Sequence, residues 1–515
     1  MKRALAGGGR LHLLAIVAFS LRLTAGAESE PAVTVIENVT VVSPERAVPL
    51  TGATVVLRAD RIVAIGKDVE PPPGATRIEA AGRFLTPGLI DSHVHIGNMG
   101  PLSDDALGAH PELLEAYRAQ LPRSYLAFGF TTLIDLDLRE STLAWFKAAP
   151  MRPDLCHCGR GVRIPGGYGA LRPIKDAAAA TAANIIHDPG HAESWPENLD
   201  RRDYSPRRAV ERVVKAGAIC LKTFIEPGFG GAADWPVPTA GALDDLRAAA
   251  KREGLAFVVH ANAVESWRTA SDARADVIAH GLWHWRGDQL DANPTGEVRE
   301  AIRAAARAGV RVQPTLQAVY GDLSIFDKAI LDDSRLTEAL PGVVLTYLRT
   351  EEGKGAHEAM ANEYKQAIAK LFASESLDPL KAMSVAPARA SATLRLMRAE
   401  NVRLLFGTDT PSNEGIGNPP GLNGRLEMTR WLEAGVSLSE ILRAATLENA
   451  ETFGLCADVG TIEVGKRANL LLLRADPLQT ITAYDQIETV FVHGNAIPRK
   501  SLLPEKWAAG EPAES

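Results

Sequence analysis

Four cysteines, Cys156, Cys158, Cys220 and Cys456, are all that 515 residues contain, too few for a disulfide-built scaffold. Stability must come from a packed core. Basic residues are not in excess either: the formal charge is -7, which removes the electrostatic attraction that a nucleic-acid partner would need. The apolar run at 11–21 is about half the ~20 residues that span a bilayer, so no stable membrane span is expected. Hydrophobic content of 46% with 23% charged residues is ordinary for a globular chain, and the length exceeds the size at which one core stops growing. One large unit with a smaller module is the expectation.

The first residues carry Lys2, Arg3 and Arg10 ahead of the apolar run, followed by Ala25, Gly26 and Ala27. Positive charge, a short apolar stretch and small residues are the pattern of a secretory signal peptide over 1–27. It predicts a secreted or periplasmic protein, with Arg22 as the one awkward residue near the cleavage site.

Beyond it, β-branched runs at 33–42 and 53–57, broken by Gly and Pro turns, read as strands. Similar runs return at 468–473 and 488–492, so residues 28–83 and 458–498 are expected to pair as one β-sandwich. Between them, apolar strand-like runs alternate with Ala, Leu, Arg and Glu rich helical segments, the pattern of parallel βα units. Eight such strands are predicted: 89–95, 131–136, 155–164, 219–225, 256–261, 277–280, 310–316 and 404–409. The fold class is therefore α/β, a (β/α)8 TIM-type barrel over 84–457 with a β-sandwich built from both chain ends. A mostly helical stretch at about 320–397 is too long for a simple loop and reads as an insertion beside the barrel mouth. Residues 499–515 read as a loose tail.

Chemistry-bearing residues sit at predicted strand ends, where such barrels expose their sites. In Asp91-Ser92-His93-Val94-His95 the histidines are two apart, so both project from one face of a strand. Alone this pair is of modest specificity in a chain with 12 histidines. His260, His280 and Asp409 close three further apolar runs. Imidazole nitrogen and carboxylate oxygen together suit zinc, ahead of iron, manganese or nickel.

Lys222 lies in the apolar run Ile219-Cys220-Leu221-Lys222-Thr223-Phe224. A lysine is almost never buried without a partner. Its head either reaches solvent, pairs with Glu226, or becomes a carbamate by taking up CO₂ and bridges two cations.

With these residues assembled, the sequence resembles the amidohydrolase superfamily, close to its imidazolonepropionase-like and prolidase-like members. The resemblance runs through Thr86-Pro87-Gly88-Leu89-Ile90-Asp91-Ser92-His93-Val94-His95, Ile278-Ala279-His280-Gly281, Gly407-Thr408-Asp409 and Gly465-Lys466-Arg467-Ala468-Asn469-Leu470. It implies two divalent cations, zinc first. His93, His95 and Asp409 would hold one, His260 and His280 the other, and carbamylated Lys222 would bridge them. The reaction it implies is hydrolysis of an amide, ester or lactone of a small molecule by a metal-bridging hydroxide, with Asp409 shuttling the proton. An organophosphate hydrolase uses the same site, a deaminase usually carries a glutamate where Ala263 stands, and a non-catalytic exported binding protein is the reading from another class. Homo-oligomerisation is left open.

Tyr168 stands where dipeptidase-like members usually carry a histidine, and Asn262 where a substrate-binding tyrosine is common. With Arg160, Trp283 and Trp285 they form the candidate substrate contacts. The cluster His187-Asp188-Pro189-Gly190-His191 reads as a loop. Cys156, Cys158, Cys220 and Cys456 read as buried core thiols.

Overall fold

The computed structural model describes residues 32–505 apart from 172–173, 229–233, 286–290, 328, 372–378 and 412–414. The expected signal peptide, 1–27, therefore lies outside the described residues. No helix among the described residues is long and apolar enough to cross a membrane.

Sixteen strands are described. In chain order they are β1 Val33–Val41, β2 Leu50–Arg58, β3 Arg61–Gly66, β4 Thr76–Glu79, β5 Phe84–Pro87, β6 Leu89–Val94, β7 Phe130–Asp135 and β8 Asp154–His157. The remaining strands are β9 Cys220–Phe224, β10 Ala256–His260, β11 Val277–Ala279, β12 Arg311–Gln313, β13 Arg403–Leu404, β14 Leu470–Leu473, β15 Ile487–Val492 and β16 Asn495–Pro498.

The two chain ends share one eight-stranded sheet, ordered β16-β15-β14-β5-β1-β2-β3 with β4 on the side of β1. The join is β5 against β14, antiparallel, with Leu85 opposite Leu472. Alternation explains its burial: Ile36, Val39, Val41, Val55, Leu57, Leu85, Leu470 and Leu472 form one apolar cluster.

The middle of the chain forms two parallel sheets, β6-β7-β8 and β9-β10-β11-β12-β13. Isolated parallel bridges link them on both sides, Val94 to Thr410 and Val162 to Thr223. Period-two alternation sorts the side chains. On β10, Phe257 and Val259 pack with Leu243, Leu246, Trp267 and Ile302 of the covering helices Ala240–Arg252, Val264–Asp272 and Gly296–Ala308. Val258 instead joins Ile90, Ile134, Val277, Ala279 and Leu405 in a separate cluster. His260 shares the parity of Val258, and Lys222 shares that of Cys220, which lies in the same cluster. The strands thus aim these two polar side chains to the inner face.

Several expectations change. Cys158 and Cys220 are a disulfide, not core thiols, because the end of β8 and the start of β9 bring their Cα atoms to 4.4 Å; Cys156 and Cys456 stay free. The seventh predicted strand stops at Gln313, and Leu316 already opens the helix Leu316–Leu323. The eighth shrinks to Arg403–Leu404, since the chain leaves the ladder before it reaches Asp409. The start of the expected tail is docked: Leu502 is buried and Arg499 lies 2.6 Å from Glu338.

Candidate metal centre

Side chains from the ends of β6 and β11 converge on Asp409, and β10 adds His260 behind His280. Asp409 Oδ1 lies 3.2 Å from His93 Nε2 and 3.1 Å from His95 Nε2, and its Oδ2 lies 3.8 Å from His280 Nδ1. His280 Nε2 faces His260 Nδ1 at 2.9 Å. Ligand atoms of His93, His280 and Asp409 fall within 4.8 Å of one another, a spacing a single cation could fill.

The backbone explains how these side chains meet. Asp409 has φ 60 and His280 φ 87, left-handed values rare for residues with a Cβ and costly enough to cluster at functional sites. Each turns the chain sharply off its strand. Asp409 N–H then donates to the His93 carbonyl at 2.7 Å and His95 N–H to the Thr410 carbonyl at 2.7 Å, which ties the two segments together. Gly407 is needed there because a Cβ would stand 2.7 Å from His93 Cβ.

Burial sets the charges. It pushes His93 down to about 3, so the ring is neutral. Its Nδ1 has no hydrogen-bond partner among the described residues. Burial alone would raise Asp409, but the neighbouring imidazoles of His93, His95 and His280 outweigh it and hold the carboxyl well below the usual range. Burial also lowers His260 and His280, whereas His95, against its own burial, is raised by its hydrogen bond to Asp409; imidazoles held neutral beside an ionised carboxylate are the states in which such groups bind a divalent cation. The residues present therefore fit a metal centre.

Lys222 is 1% exposed. Burial pushes its amine down to about 7, and it lies close enough to Asp409, His93 and His260 to affect or feel their charge. Its ammonium has no ion-pair partner among the described residues, only the Phe224 ring at 5.6 Å. Glu226 turns elsewhere, accepting the Gly228 amide at 2.7 Å and standing 3.7 Å from His260 Nε2. An amine this buried does not reach solvent, which removes the solvent-reaching alternative.

The candidate substrate contacts divide. Tyr168 stacks on His260 with centroids 4.8 Å apart, and Trp283 stands 5.8 Å from His280. Arg160 is committed to Asp137 at 2.9 Å, which also takes Arg163 at 2.5 Å. Asn262 is buried, and its carbonyl accepts the amides of Trp283 and His284. Trp285 is buried under the Arg389 guanidinium, 4.1 Å from its ring. Arg160 and Trp285 thus already have protein partners.

Other residues at the site were not foreseen. Asp91 accepts the Thr408 hydroxyl at 2.6 Å and the Thr408 amide at 3.1 Å, and burial pushes it up to about 7. Gln313 donates to the Ser92 carbonyl at 2.7 Å. Thr315 Oγ1 lies 3.0 Å from His280 Nδ1. The acid of Asp91 inside an apolar strand was the one visible signal; Gln313 and Thr315 carry none.

The sequence profile described as Amidohydrolase family matches residues 84–497. An imidazolonepropionase of Acidiphilium cryptum (strain JF-5) is 29% identical over 275 residues, 50% of this chain and 63% of that protein's length. An N-acyl-D-glutamate deacylase of Alcaligenes xylosoxydans xylosoxydans is 26% identical over 502 residues, 87% of this chain and 90% of the relative. Among solved structures, a Xaa-Pro dipeptidase with bound methionine is similar at TM-score 0.62 and 19% identity, covering 91% of this chain and all of the other. An ochratoxinase from A. niger is similar at TM-score 0.61 and 18% identity, covering 91% and 96%. At such identities the likeness concerns the fold alone, which for these neighbours and this profile is a TIM-type barrel.

Proposed function

The chain belongs to the amidohydrolase family, and from that premise we propose that it hydrolyses a C–N bond of a small molecule, an amide or N-acyl bond, at a binuclear metal centre. The observation that carries the reading is the convergence on Asp409 of His93 at 3.2 Å and His95 at 3.1 Å, with His280 at 3.8 Å. His93, His95 and Asp409 would hold one cation, His260 and His280 the other, and carbamylated Lys222 would bridge them. Zinc is the first candidate for such nitrogen and oxygen donors. Bound divalent cations supply Lewis acidity, which acidifies water and polarises a carbonyl.

The chain's own groups do the rest. Asp409 starts ionised, takes the proton of the attacking water and returns it to the leaving nitrogen. Tyr168, stacked on His260, walls the site on that side. In the same reading the two parallel sheets close as a (β/α)8 barrel and the terminal sheet is the smaller β-sandwich. Export, with cleavage near Glu28, belongs to it too: the Cys158–Cys220 disulfide is of a kind that persists in oxidising compartments.

The experiment is a screen of zinc-loaded protein against N-acyl amino acids, dipeptides and lactones, measuring release of amine or acid. N-acyl amino acids come first, because the deacylase relative is matched over 90% of its length. Turnover of a C–N substrate that a chelator abolishes is the expected result. Failure of every C–N substrate with metal bound would overturn the reading.

A further inference from the structure

Thr315 stands at the N-cap of the helix Leu316–Leu323, yet its side chain makes no cap hydrogen bond. A threonine at that position ordinarily turns its hydroxyl onto an amide two or three residues ahead. Here φ 46 and ψ 46 put the residue in the left-handed region, strained for a β-branched side chain. The hydroxyl instead lies 3.0 Å from His280 Nδ1.

The first amides of that helix are buried and still need acceptors. They find them far along the chain. Leu316 N–H donates to Glu427 Oε1 at 2.9 Å and Gln317 N–H to Glu427 Oε2 at 2.5 Å. Glu427 lies fully buried on the helix Leu422–Glu433, and its Oε1 also accepts Trp431 Nε1 at 2.7 Å. Both carboxyl oxygens are therefore engaged by N–H donors; burial pushes the acid up to about 7, against the lowering pull of those donors, and whatever negative charge it carries sits at the favourable end of a helix.

We propose that Glu427 is a positioning residue for His280: it caps the helix in place of Thr315 and so frees the Thr315 hydroxyl to fix the imidazole. With Nδ1 taken by Thr315, Nε2 is the nitrogen left facing His260 Nδ1 at 2.9 Å. Such partners of a metal-binding histidine set its tautomer and orientation. The inference rests on the reading of His280 as a metal ligand.

Glu427→Gln keeps the side-chain size but aims an amide NH₂ at backbone donors. Thr315→Val removes the hydroxyl and keeps the shape. Two readouts serve: the His280 ring-nitrogen resonances of apoprotein labelled with ¹⁵N-histidine, and zinc affinity by calorimetry. Both single variants should shift the His280 Nδ1 resonance in the same direction and weaken zinc binding by about 10- to 100-fold. The double variant should lose no more than the worse single one, since both act through one contact. A lower melting temperature in Glu427→Gln with an unchanged His280 resonance, or losses that add in the double variant, would overturn the proposal. If Glu427→Gln fails to fold, Glu427→Asp takes its place, with the same shift and a smaller loss of zinc affinity expected. Wild-type protein that binds no zinc would refute the metal reading, while the apoprotein resonances would still decide the role of Glu427.

Discussion

In the terminal sheet, charge stays at the surface. Arg83 and Arg474 both reach Glu488 at 2.9 Å, Arg61 meets Asp458 at 2.5 Å, and the side chains buried on its strands are uncharged. Around the parallel strands the opposite holds: Asp91, His93, Lys222, His260 and His280 are all buried. A protein interior excludes such groups unless they are paired. Among the described residues the strands of the terminal sheet bury no charged side chain, whereas the parallel strands bury Asp91 and Lys222 in mid-strand and His93 and His260 toward their C-terminal ends. Buried charge concentrated in one unit is what a functional site costs in stability.

The contrast can be broken most severely at Asp409. Asp409→Asn should lower turnover by at least about 10² to 10⁴, the usual worth of general acid-base catalysis, while Arg61→Ala in the terminal sheet leaves it unchanged. Near wild-type kcat in metal-loaded Asp409→Asn would remove its proton role. Next comes Ile36, fully buried in the terminal sheet. Ile36→Ala should cost about 2 to 5 kcal/mol in denaturant unfolding and leave the metal stoichiometry intact, because packing there is separate from the site.

Lys222→Met should act with the opposite sign on stability. An unpaired buried amine gives way to an apolar chain of similar size, so the apoprotein should gain about 1 to 3 kcal/mol while losing bound metal. pH sharpens this. With the folded amine near 7 and the unfolded one near the ordinary ~10.4, the unfolded chain binds the extra proton between those values. Wild-type apoprotein should therefore gain stability as pH rises from about 7 to 10, and Lys222→Met should flatten that slope. A slope unchanged by the substitution would place the titration elsewhere. The smallest effect is expected at Arg83, whose pair with Glu488 is partly exposed. Arg83→Ala should cost about 0 to 1 kcal/mol, and a melting curve shifted further would show that the terminal sheet depends on charge after all.

Much of the site was legible because strand parity is simple. His93, His95, His260, His280 and Asp409 each come after a short apolar run, and a polar residue at that position can be read without knowing its neighbours. Lys222 was legible for the same reason, as a charge inside an apolar strand. Thr315 and Glu427 were not. Their roles depend on a left-handed turn at a residue that seldom adopts one, and on the Glu427 carboxyl group reaching the Leu316 amide 111 residues away. The Cys158–Cys220 bond was missed because it depends on β8 lying beside β9, a neighbour relation between the two parallel sheets rather than a spacing. The third, seventh and eighth parallel strands were drawn too long, since the chain leaves the ladder after His157, Gln313 and Leu404 and an apolar run in sequence does not show where strand pairing stops.

The central claim is that six side chains at these strand ends hold two cations, with Lys222 as the bridge. The direct measurement is metal per chain, by elemental analysis, in wild type and in Lys222→Ala with and without propionate. Two metals in wild type, fewer in Lys222→Ala, and partial recovery of metal and activity when propionate replaces the missing carboxylate are predicted. Lys222→Ala that keeps two tightly bound metals and full activity without added acid would contradict the account.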